Sequence, residues 1–83
     1  MRVMQRGRES LNVSLNVLEH IILVNGWEYY ISEKPENDLW FGLVCGAETE
    51  LGYILFEEIE PYILSRTTDL NDVFPAPKWE WVD

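Results

Sequence analysis

The chain has 83 residues, 47% hydrophobic and 13% aromatic, and a net charge of −9. That makes one domain with a small core, able to bury about 60% of its unfolded surface. Such an acidic exterior excludes generic binding to phosphate backbones or anionic membranes; it suits a basic protein partner, imitation of nucleic-acid charge, or plain solubility.

The charge is uneven. Arg2, Arg6 and Arg8 outnumber Glu9 and Glu19 up to Gly26, whereas only Lys34, Arg66 and Lys78 answer 13 carboxylates after it. The lone cysteine, Cys45, excludes an internal disulfide. With no long apolar run and no apolar signal core behind the first arginines, a cytoplasmic location is expected.

Met1 to Glu9 is basic and without periodicity, and reads as a flexible arm ahead of one domain over residues 10–83. Ser10 to Asn25 supports two structures. Leu11, Leu15, Leu18 and Ile22 share a helical face, Ser10 is a good N-cap, and Asn25-Gly26 is a good helix stop, so a helix is the preferred reading. Against it, Leu11, Val13, Leu15 and Val17 alternate with polar residues as a strand would, and Asn25-Gly26 is also a hairpin signal, so the rival is a hairpin joining His20–Val24 to Trp27–Ile31.

Trp27 to Ser32 alternates as a strand, with Trp27, Tyr29 and Ile31 on one face and Glu28 and Tyr30 on the other. Leu39 to Cys45 is almost wholly apolar, as a central strand covered on both faces would be. Gly42 inside it marks a bulge or a close backbone approach. Gly46 to Glu50 makes a tight connection to a third strand, Leu51 to Leu55. Phe56 to Leu64 reads as a short helix, with Glu57, Glu58 and Glu60 near its start and Pro61 as its weak point. Ser65 to Lys78 reads as loop, and Trp79 to Asp83 as a terminal strand. The expected fold is α+β: a three- to four-stranded antiparallel meander with an N-terminal helix and a short second helix packed on one face.

Chemistry is sparse. His20 and Cys45 are the only imidazole and thiol, short of the roughly four ligands of a structural zinc site, so no metal or other cofactor is expected. The glycines match no phosphate-binding loop. Glu28 sits between Trp27 and Tyr29, and an alternating strand would turn it to solvent. The remaining candidates are surfaces: the Glu57, Glu58 and Glu60 cluster, and Trp79 with Trp81, aromatics of the kind that anchor interfaces or close a small core.

The run Phe41-Gly-Leu-Val-Cys-Gly-Ala-Glu-Thr-Glu-Leu-Gly-Tyr53, followed by Phe56, Glu58, Ile59 and Glu60, resembles the signature of an uncharacterised bacterial family of small domains, with a pattern close to FGLVxGxExELGYFSLxELE. Members are often encoded on plasmids and integrative elements. Trp27 to Glu33 resembles the aromatic strand upstream of that signature; Ile54-Leu55 replaces its Phe-Ser pair. The resemblance implies a fold and a mobile-element context, and brings no activity.

The functional expectation is a non-enzymatic interaction or regulatory module that docks an acidic-aromatic surface on a protein partner, basic in character, or on a second copy. One alternative is a nucleic-acid mimic that inhibits a DNA-binding enzyme. The other is a small-ligand binder or enzyme built on Cys45 and His20 with Glu28.

Overall fold

The computed structural model describes residues 1–5 and 14–82. Among these residues, eight strands form two antiparallel sheets. They are β1 (Arg2–Gln5), β2 (Ser14–Asn16), β3 (Glu19–Leu23), β4 (Glu28–Glu33), β5 (Leu39–Cys45), β6 (Thr49–Leu55), β7 (Ile63–Thr67) and β8 (Trp79–Trp81). Between β6 and β7 lie a single helical turn, α1 (Phe56–Ile59), and a 3-10 turn over Glu60–Tyr62. The smaller sheet has the order β2-β1-β8 and the larger β6-β5-β4-β3-β7.

The fold is therefore mostly β, which corrects the expected α+β meander with an N-terminal helix. Within Ser10–Asn25, residues 10–13 lie outside the described residues, and the rest holds β2, β3, the link between them and the start of a turn. The helical stripe fails because its members do not share an environment. Leu18 is exposed and Ile22 only half-buried, whereas the β-branched Val17 and Ile21 are buried. Asn25-Gly26 is the turn of a hairpin. Gly26 has φ +92°, its N–H bonds the Leu23 carbonyl, and the Asn25 side chain accepts from the Trp27 N–H.

The arm expected over residues 1–9 falls partly outside the described residues; Arg2–Gln5 within it is the central strand of the smaller sheet. The second helix stops after Ile59, because Pro61 sits in the 3-10 turn and has no N–H for a continuing helix. Ile63–Thr67, read as helix end and loop, is β7, paired to β3.

Both faces of the larger sheet are covered. On one face Tyr30 and Leu43 pack with Val3 and Trp79 from the smaller sheet and with Leu70 and Ala76 from the 68–78 loop. On the other, Ile21, Tyr29, Ile31, Trp40 and Ile54 pack beneath Ile59 of α1. The all-apolar reading of β5 follows from this, since its alternate residues enter different cores. A Cβ at Gly42 would lie 2.1 Å from the Tyr30 carbonyl oxygen, next to the register shift between Ile31 and Glu33.

Candidate functional site

Glu19 and His20 are the buried polar side chains among the described residues. As neighbours on β3 they point to opposite faces, and each meets a different solution. Glu19 faces α1, where Lys34 Nζ lies 2.7 Å from one carboxylate oxygen and the Arg66 guanidinium engages both. Burial alone pushes the Glu19 carboxyl up, but its hydrogen bonds and charge attraction to Arg66 and Lys34 outweigh that and hold it below the ordinary value. Lys34 also lies 4.2 Å from the Trp40 ring centroid, and Arg66 5.0 Å from that of Phe56. Every charge here has a partner, so the cluster is structural.

His20 faces the smaller sheet. Strand pairing sets it opposite Tyr30 on β4 and Thr67 on β7, and Ile22 opposite Glu28 and Ser65. Residues directly opposite in an antiparallel pair share a face, so His20, Glu28, Tyr30, Ser65 and Thr67 converge. His20 Nε2 lies 2.8 Å from Glu28 Oε1, and its ring is 4.7 Å from that of Tyr30. The Tyr30 hydroxyl donates to the Phe74 carbonyl at 2.8 Å, and Trp81 Nε1 donates to the Val73 carbonyl at 2.9 Å. These two bonds, with the buried Leu70 and Ala76, fix the 68–78 loop over this end of the sheet.

A cavity of about 600 Å³ lies between that loop and the sheet, within the usual range for ligand pockets. Its polar wall is His20, Glu28, Ser65, Thr67, Asp69 and Asp72; its apolar side includes Ile22, Val73, Phe74 and Pro75. Among the described residues, no lysine or arginine lines it. Nε2 faces the Glu28 carboxylate, an acceptor, so the imidazole donates there. His20 makes no second hydrogen bond, and no fully buried side-chain nitrogen or oxygen among the described residues lacks a partner. His20 lines the cavity. Burial, then the Glu28 carboxylate, pushes the Tyr30 hydroxyl above its ordinary value, so it stays protonated and bound to Phe74.

The other sequence candidates fall elsewhere. Cys45 pairs with Glu28 across β4 and β5 but does not line the cavity. Burial pushes its thiol up, Thr49 pulls it down, and Glu28 pushes it up again. A thiol held protonated is a poor nucleophile. Trp79 is buried in the core beside the smaller sheet, and Trp81 packs partly buried against it. Glu57, Glu58 and Glu60 are exposed on α1 and the turn after it, over the opposite face of the larger sheet, so the structure does not bring them together with the tryptophans. Asp38 anchors the start of α1, its side chain accepting from the Glu57 N–H. Asp69 and Asp72 drew no attention in the sequence because their loop signals only turns. The Thr67–Asp69 hydroxyl-to-backbone turn is the local signal that places Asp69.

No group of three or more His, Cys, Asp or Glu among the described residues is arranged to hold a metal ion. No helix among them is long and apolar enough to cross a membrane. Comparisons with protein-family models, curated proteins and solved structures return no match to this chain.

Proposed function

We propose that this protein is a non-catalytic binding module that takes a cationic side chain of a protein partner, arginine above all, into the cavity beside His20. One observation carries this reading: a nine-tenths-buried imidazole, held by Glu28, lines a space with three carboxylates and, among the described residues, no cation. A guanidinium is the complementary ligand, because it carries five donors in a plane and no acceptor. Ile22, Val73 and Phe74 offer an apolar wall for the methylene stem. The net charge of −9 steers a basic partner towards the molecule as a whole.

Two rival readings have less support. A thiol–imidazole enzyme would need Cys45 in the cavity as a thiolate, and a hydroxyl nucleophile would need Ser65 or Thr67 bonded to His20; neither condition is met. A nucleic-acid mimic needs carboxylates in rows on one surface. Here Glu57, Glu58 and Glu60 cover one face of the sheet, while Asp69 and Asp72 lie over the other.

Titration with acetyl-arginine amide, followed by amide chemical shifts, tests the proposal. Shifts are expected at His20, Thr67 and Phe74, and acetyl-citrulline amide, equal in shape but uncharged, binds far more weakly. The double variant Asp69→Asn, Asp72→Asn keeps the oxygen that Asp69 gives to the Asn71 N–H, so the loop holds. It lowers arginine affinity about tenfold, or roughly 1.4 kcal/mol. Equal binding of citrulline, or shifts away from the cavity, would overturn the assignment.

A further inference from the structure

The larger sheet ends at β6, whose outer edge is paired with no described strand. An unpaired edge displays a row of backbone donors and acceptors, and proteins usually blunt such an edge with lysine, proline or a covering segment. Among the described residues no further strand covers β6. Its sequence, Thr49-Glu-Leu-Gly-Tyr-Ile-Leu55, has no lysine or proline, and no lysine or arginine occurs anywhere from residue 35 to residue 65.

The two sides of this edge differ. Leu51, Tyr53 and Leu55 point to one side and are exposed, Tyr53 by 70%. Phe41 extends this strip, its ring edge-on to Tyr53 at 5.1 Å. On the other side, a Cβ at Gly52 would meet nothing within 4 Å. Two hollows on that side, of about 260 and 150 Å³, share Val44. Glu48 and Glu50 line the first, and Glu58 the second.

We infer that the edge of β6 accepts an extended segment of a basic protein partner as an added strand, with apolar side chains on Leu51, Tyr53 and Leu55 and lysines or arginines beside Glu50 and Glu58. A strand alternates its side chains between two faces, so a partner alternating apolar and basic residues satisfies both at once. Charge selects this occupant over a second copy. Pairing β6 with itself about Gly52 would bring Glu48, Glu50, Glu57 and Glu58 of both molecules together, within about a Debye length. The edge lies at the opposite end of the sheet from the His20 cavity, which borders β7, so this docking does not depend on what the cavity holds.

The probe is a peptide of alternating valine and lysine matched to the 7 residues of β6, with an alternating valine–glutamate peptide as control. Amide hydrogen exchange over residues 49–55 slows with the lysine peptide and not with the glutamate one. Gly52→Lys places a cation on the edge where the added Cβ meets open space. It leaves the thermal midpoint in place and lowers peptide affinity tenfold or more. Protection confined to the cavity residues, equal binding of the two peptides, or no protection of β6 would each overturn the inference. So would protection without peptide that grows with protein concentration, which would give the edge to a second copy.

Discussion

At the residue scale, Glu19 shows how a small acidic domain keeps a carboxylate inside. It is 4% exposed, and Lys34 and Arg66 reach it from the solvent side, so the ion pairs lie at the rim of the core. Removing the carboxylate would leave two cations crowded over Trp40 and Phe56. The loss falls between that of a fully buried pair and a surface pair, about 2 kcal/mol for Glu19→Gln at neutral pH. The sign of its pH dependence follows from the lowered folded-state pKa. The stabilisation is complete above the ordinary glutamate value of 4.5 and is lost as pH falls through the lower folded value. Urea unfolding of wild type and Glu19→Gln should give curves that converge in acid and separate above pH 5. A gap that stayed constant with pH would mean that packing, rather than the ion pairs, accounts for the loss. The neighbouring His20 has a single carboxylate partner and lines the cavity, which is the difference between a structural charge cluster and a receptive one.

At the element scale, the strands of the larger sheet depend on two glycines facing each other, Gly42 on β5 and Gly52 on β6. Their roles are opposite. Gly42→Ala would press a methyl into the Tyr30 carbonyl and Ile31 Cα, and the β4–β5 ladder must move to admit it, at about 3 kcal/mol. Gly52→Ala meets open space and restricts the unfolded chain, so it should be neutral or stabilising by up to about 1 kcal/mol. Chemical denaturation of the two variants checks the contrast; equal losses would refute it. Turn chemistry and alternation made these elements legible in the sequence. Asn25-Gly26, the acidic turn before Thr49 and the alternation of Trp27–Ile31 all report local backbone preferences. The helix expected over Ser10–Asn25 was misleading for a physical reason. Leu15 and Val17 enter one core and Ile21 and Leu23 the other, so the chain switches layers between β2 and β3, and the Leu15, Leu18, Ile22 spacing marks no single buried face. The cavity was illegible for a similar reason. His20 and Glu28 meet through the β3–β4 pairing, Ser65 and Thr67 join them through the β3–β7 pairing of strands 40 residues apart, and Asp72 arrives on the loop that Tyr30 and Trp81 hold.

At the scale of the whole molecule, charge acts on stability and on binding with opposite signs. A net −9 on 83 residues makes the compact state repel itself, and that cost falls as salt screens it. Attractions between opposite charges oppose it. Lys34 and Arg66 are both committed to Glu19, and those contacts, partly shielded from solvent, are screened less than the exposed carboxylates. Raising sodium chloride from low ionic strength to about 0.15 M should therefore lift the thermal midpoint by about 4 °C, equivalent to under 1 kcal/mol for a domain of this size. The same change should weaken capture of acetyl-arginine amide and of the valine–lysine peptide, because long-range attraction to the acidic surface is screened along with the repulsion. Parallel melting and binding titrations across that salt range separate the two effects. If the midpoint fell instead, the Glu19 cluster would outweigh the net repulsion; Glu19→Gln should then restore the rise, because it removes the attraction while leaving the exposed acids in place. If binding strengthened with salt while the fold also stabilised, apolar contact at the cavity wall and on the β6 strip would be driving association, and charge would serve only to keep the protein apart from its own copies.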